Sequence, residues 1–157
     1  ALGLSTGRRT EKLLMAAHPD WPEQAFVQMA DFAAMSVRAA VQAGFRRLAV
    51  GLFIGKLLKI AQGLEYTHAR SADLDLEAAA GWAHEAGLGK ADAENLRHCN
   101  TAMQALDIIL RSPARETVLA ALARRAALAL KAWSGPGVAL EVRLFDFDGH
   151  TLYIDIL

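Results

Sequence analysis

Gly51-Leu52-Phe53-Ile54-Gly55-Lys56, continuing through Lys59 and Gly63 to Thr67-His68-Ala69-Arg70, gathers residue types that suit an anion or cofactor site better than a core. Glycines let a backbone approach a ligand with no Cβ in the way. A lysine where a helix begins adds a full charge to amides that lack partners and sit at the positive end of the helix dipole. His68 can donate a hydrogen bond or exchange a proton near neutral pH, and Arg70 can fork onto a carboxylate. The plainer readings are a tight strand-to-helix turn at the glycines and a solvated loop at Thr67 to Arg70. The stretch is not a Walker A loop: three residues separate Gly51 from Gly55, and Leu57 follows the lysine where Ser or Thr is needed.

Two earlier segments carry related chemistry. Ser5-Thr6-Gly7 reads as a loop between a strand and a helix, where amides could hold an anion. Asp31 stands where nucleotide-binding α/β folds commonly place an acid for ribose hydroxyls, although Asp is equally a good helix N-cap. Arg8 and Arg9 could meet anions or simply be solvated. His84, His98 and His150 lack partners at metal-ligand spacing, and His98-Cys99 alone is no zinc site, so no protein-bound metal is expected. The G-x-S-x-G elbow of serine hydrolases is absent.

These residues need elements to position them. Ala1 to Leu4 reads as a strand, and its abrupt apolar start suggests a strand cut loose from an upstream domain. Arg9 to Ala17 is a helix stopped by Pro19, and Phe26 to Met29 a second strand. Asp31 is expected to cap a helix to Ala43, with Gly44 just past its end. Arg47 to Leu52 is a third strand, apolar throughout as in a sheet covered on both faces, followed by a helix from Lys56 to Gln62.

The second half is helix-rich. A helix begins at Asp73 and ends at Gly87, and others run from Asp92 to Cys99, Thr101 to Leu110 and Pro113 to Trp133, the last capped by Ser112. Val138 to Phe145 and Thr151 to Ile156 alternate as a hairpin turning at Asp148-Gly149. The expected fold is therefore a single α/β domain over 1–157. It is an open three-layer Rossmann-like sheet, parallel at the start with right-handed crossovers and ending in an antiparallel hairpin. In such sheets ligands bind at the carboxyl ends of the strands.

Composition sets outer bounds. The chain of 157 residues is 54% hydrophobic, with 17 basic and 17 acidic side chains, so bulk charge offers nothing to a nucleic acid or a membrane surface. One cysteine, Cys99, forms no internal disulfide, and no signal peptide is visible. A cytoplasmic location is expected.

Several blocks in order resemble the cobalt-precorrin-5B (C-1)-methyltransferase family: Leu4-Ser5-Thr6-Gly7-Arg8-Arg9-Thr10-Glu11, Gln28-Met29-Ala30-Asp31-Phe32, Gly55-Lys56-Leu57-Leu58-Lys59-Ile60-Ala61-Gln62-Gly63 with Thr67-His68, and Asn100-Thr101-Ala102. Ala30 stands where that family usually has glycine, and Tyr66 and Ala69 flank Thr67-His68 where Asn and Ser are common. Gly51 lies one residue farther from Gly55 than usual. The resemblance implies methyl transfer from S-adenosylmethionine to ring carbon C-1 of a cobalt-bearing corrin precursor in anaerobic cobalamin biosynthesis. It also implies a longer two-domain enzyme with this chain as the C-terminal half, the N-terminal domain as a partner, and a homo-oligomer left open.

Under that reading the methyl donor is held by Ser5, Thr6, Gly7, Asp31, Gly51 and Gly55. The substrate carboxylates meet Lys56, Lys59, Thr67, His68 and Arg70, with His68 the catalytic candidate. The alternative is a non-catalytic module that binds a tetrapyrrole or another polyanionic metabolite. A nucleotide hydrolase is the weaker third reading.

Overall fold

A computed structural model describes residues 1–68 and 73–157. Five strands form one sheet: β1 (Leu2–Ser5), β2 (Phe26–Gln28), β3 (Arg47–Phe53), β4 (Ala139–Phe145) and β5 (Thr151–Ile156), in the order β2-β1-β3-β4-β5. The first four are parallel and β5 returns antiparallel to β4. The expected α/β sheet with a C-terminal hairpin is what the chain forms.

Helix α1 (Arg8–Ala17) covers one face of the sheet. The other face carries α2 (Ala33–Gln42), α3 (Ile54–Ala61) and the long α7 (Arg115–Ser134), with α4 (Leu76–Glu85), α5 (Lys90–Arg97) and α6 (Ala102–Arg111) packed around them. Period-two alternation divides the strands accordingly. Leu2, Leu4, Leu48, Val50, Leu52, Leu140, Val142 and Leu144 enter the large core beneath α2, α3 and α7. The smaller core on the α1 face holds Leu14, Phe26, Ala49 and Phe145.

The α1 face is built from small residues, and this sets how closely the helix lies. A Cβ on Gly3 would stand 2.4 Å from the Phe26 ring and 3.2 Å from Leu14. A Cβ on Gly51 would stand 3.2 Å from the Phe145 ring and 3.4 Å from the backbone carbonyl of Thr10. Gly51 is thus a packing glycine buried in β3, outside the lining of the cleft described below. Ser5 is likewise buried, its hydroxyl 3.4 Å from the Val27 carbonyl. At the amino end of the strands this face turns polar: His18 Nε2 lies 3.0 Å from Glu141 Oε1, Arg143 also bonds Glu141, and the His18 ring stacks on Trp21 at 4.3 Å.

Element ends shifted where a side chain found a better partner than a cap. Helix α2 starts at Ala33 behind Phe32, because Asp31 is drawn to Lys56 and does not cap it. Asp75, not Asp73, caps α4 through a 2.9 Å bond from the Ala78 amide. Ser112 receives the Ala114 amide at 3.1 Å, one turn before α7 begins. Thr101 caps α6 as its type suggests.

Ala30 has φ 49°, the one non-glycine residue with positive φ among the described residues. The left-handed region costs an L-residue about 1–2 kcal/mol. Ala30→Gly should therefore raise stability by about 0.5–1 kcal/mol after the added chain entropy of glycine is subtracted. Gly3→Ala should lower it by about 1–3 kcal/mol through overpacking against Phe26 and Leu14. Urea denaturation of the two variants beside the parent checks both signs.

Candidate functional site

Sheet order makes one crevice. The chain leaves β1 through α1 on one face and returns from β2 to β3 through α2 on the other, so the loops after β1 and β3 diverge. A switch of this kind is where open α/β sheets bind ligands. A cleft of about 630 Å³ opens there. Thr6, Gly7, Arg8, Arg9 and Thr10 form its α1 side; Phe53, Gly55, Lys56 and Lys59 rise from β3 and α3. Thr67, Leu74, Ala102 and Phe147 complete it. Its size suits a small organic ligand, for which clefts run about 300–1,000 Å³.

The floor is cationic and tightly braced. Lys56 pairs with the Asp31 carboxylate and donates to the Thr67 carbonyl at 3.0 Å and hydroxyl at 3.2 Å. The Thr67 amide in turn donates to the Asp31 carbonyl at 2.9 Å. Lys59, one turn along α3, donates to the carbonyls of Thr67 at 3.3 Å and His68 at 3.4 Å. Lys59 is only 9% exposed and Thr67 1%. The Lys56 hydrogen bond holds the Asp31 carboxyl below its ordinary value, outweighing the opposite push of partial burial. Burial and the neighbouring Lys56 charge push the Lys59 ammonium down.

The opposite wall is bare at Gly7, where an added Cβ would meet nothing within 4 Å. Its loop does not offer the amides expected of it. The Thr10 hydroxyl accepts from the Thr6 amide at 3.1 Å and the Gly7 amide at 3.2 Å, and donates to the Gly7 carbonyl at 2.9 Å. Only the first-turn amides of α1 proper, from Arg8 on, lack intrahelical acceptors.

Of the residues singled out in the sequence, Thr6, Gly7, Gly55, Lys56, Lys59 and Thr67 meet at the cleft. Ser5 and Gly51 are buried in the sheet, and Asp31 stands behind Lys56, outside the lining, where the pair uses one carboxylate oxygen. His68 also lies outside the lining, its ring parallel to Tyr66 at 6.0 Å. Arg70 lies outside the described residues. Among the described residues no group of three or more His, Cys, Asp or Glu side chains gathers as a metal site, and no helix is long and apolar enough to cross a membrane.

Sequence reasoning passed over Phe53 and Phe147, and left Arg9 between meeting an anion and being solvated. Phe53 and Phe147 stack at 4.4 Å, and the Arg9 guanidinium lies 5.6 and 5.2 Å from their centroids. The available signal was position: Phe53 ends β3 and Phe147 follows β4, at the edge of the sheet where open α/β folds bind ligands.

The sequence model of the CbiD C-terminal domain matches residues 66–155. The chain is 52% identical to a protein of Nitratidesulfovibrio vulgaris named cobalt-precorrin-5B C(1)-methyltransferase, over 95% of this chain and 38% of that protein. It is 42% identical to a protein of the same name from Polaromonas naphthalenivorans and 30% identical to one from Priestia megaterium. Each of these alignments covers 95% of this chain, and 41% and 40% of the respective relatives. The chain thus spans about two fifths of the length of these relatives. No solved structure matches it.

Breaking the Lys56–Asp31 pair should be costly in either direction. A double-mutant cycle on Lys56→Met and Asp31→Asn should return a coupling of about 1–3 kcal/mol. Because the folded-state pKa of Asp31 is depressed, its contribution is complete above its unfolded value, near 4. It is lost as pH falls through the folded value. The stability gap between the parent and Asp31→Asn should therefore be flat from about pH 5 to 8 and close at acid pH, measured by denaturation at each pH.

Proposed function

The chain belongs to the CbiD C-terminal domain family, and from that footing we propose that it is the C-terminal domain of a longer enzyme that methylates C-1 of a cobalt-precorrin in cobalamin biosynthesis. The methyl donor in this reading is S-adenosylmethionine, and the domain completes its work with the rest of the enzyme. One observation supports it above others: Lys56 and Lys59 converge on the floor of the cleft at the switch point, opposite a wall left bare at Gly7. Both ligands of such a reaction carry carboxylates, the donor one and a corrin precursor many.

The cleft fits a donor of this kind in volume and chemistry. Lys59 meets a carboxylate on a floor that Lys56 braces through Asp31 and Thr67, the Thr6 hydroxyl faces ligand polar atoms, and Gly7 and Gly55 admit close approach. S-Adenosylmethionine, when bound, supplies an electrophilic methyl group on a sulfonium. The task left to the protein is alignment of donor and acceptor with water kept out, and little proton transfer is needed. Phe53, Leu74, Ala102 and Phe147 make the apolar walls suited to that exclusion. Asp31 acts by holding Lys56 in place. His68, once the catalytic candidate, is better assigned to positioning, since its carbonyl receives Lys59 and its ring stands outside the cleft lining.

A second reading, a non-catalytic binder of tetrapyrroles or other polyanionic metabolites, draws on one feature. The acid expected to hold ribose hydroxyls is engaged with Lys56.

Titration calorimetry of S-adenosylhomocysteine, with this chain and with the full-length enzyme that contains it, tests the proposal. Binding is expected in at least the full-length protein, weakened about tenfold or more by Lys59→Met. Methyl transfer from labelled donor to the cobalt-precorrin is expected alongside it. Corrinoid binding seen by absorbance with no methyl transfer would favour the second reading, and absence of both would sink the first.

A further inference from the structure

Resting on the methyl-transfer reading above, we infer that Arg9, Phe53 and Phe147 form a seat for a flat conjugated ring at the mouth of the cleft, and so determine which ligand ring it accepts. Phe147 is 42% exposed, although its stacking on Phe53 shows that apolar cover was within reach. Ring surface left open at the edge of a ligand cleft is surface that a ligand can bury. Stacking of a conjugated ring on such a side chain contributes about 1–3 kcal/mol, a factor of about 5 to 150 in affinity.

Arg9 supports the same assignment. Like Arg8, Arg46, Arg47, Arg111 and Arg115, it pairs with no carboxylate among the described residues, and what sets it apart is its place at the aromatic end of the cleft. It donates to the Phe147 carbonyl and lies over both rings, where a guanidinium is held by their quadrupoles. The aromatic end of the cleft thus carries a guanidinium held by two rings and a carbonyl, while Lys56 and Lys59 stand at the floor. A ligand with a flat ring and carboxylates some distance from its centre matches both ends.

The mount is rigid. Asp146 Oδ1 accepts the amides of Asp148, Gly149 and His150 at 2.9, 2.7 and 2.8 Å, which fixes the turn that presents Phe147.

Two rings share this chemistry, the purine of the methyl donor and the tetrapyrrole of the acceptor. S-Adenosylhomocysteine and a cobalt corrinoid bearing free carboxylates are titrated against the enzyme and its Phe147→Leu, Phe147→Trp and Arg9→Gln variants. Phe147→Leu should weaken one of the two ligands about tenfold, Phe147→Trp should restore it to within about twofold, and the ligand affected identifies the ring. Arg9→Gln should weaken that same ligand; Arg9 is exposed, so this arm does not depend on packing at Phe147.

Unchanged affinities across the variants overturn the seat and leave the methyl-transfer reading standing. Equal weakening of both ligands, or no rescue by Trp, also overturns it, being the mark of a reshaped cleft. A parent enzyme that binds neither ligand overturns the methyl-transfer reading and the seat with it.

Discussion

The Lys56 ammonium is the tie on which the site depends. It joins three segments distant in sequence: the loop after β2 through Asp31, the start of α3 through its own backbone, and the loop after α3 through Thr67. A partly buried ammonium is stable only where its donors are used, and here a carboxylate, a carbonyl and a hydroxyl receive them. Ala30, one residue before Asp31, adopts a left-handed conformation. Lys59, mostly buried beside the cleft, donates to carbonyls of the same Thr67–His68 segment.

The other wall follows from absence of bulk. Gly3 and Gly51 leave the α1 face of the sheet without side chains where the helix crosses it, so the Thr10 backbone lies against β3 itself. That approach is what carries Gly7, Arg9 and Thr10 to the edge of the cleft. Helix α1 buries only Thr10 and Leu14 fully, which is enough because contact with the sheet is so close.

Much of the fold was legible in the residues. The apolar run of β3, the strand–helix alternation and the Asp-Gly hairpin turn are local signals, and each led to the element formed. Glycine was the ambiguous letter. The same residue type at Gly7 leaves room for a ligand and at Gly51 leaves room for a helix, and only the neighbours in space tell them apart. Asp31 was ambiguous for a similar reason: a helix start and a lysine on another element competed for one carboxylate, and charge prevailed over capping. The association of Arg9, Phe53 and Phe147 was out of reach because it joins α1, β3 and the β4–β5 turn across nearly the whole length of the chain.

The Asp146 turn has a consequence for how such a site could diversify. Its geometry is set by one carboxylate gripping backbone amides, with a glycine at φ 100° closing the bend. None of those contacts uses the side chain at position 147. The hairpin is therefore a socket whose shape does not depend on what it holds, and a lineage could exchange that one side chain, altering the outline of the cleft while the hairpin beneath it keeps its form.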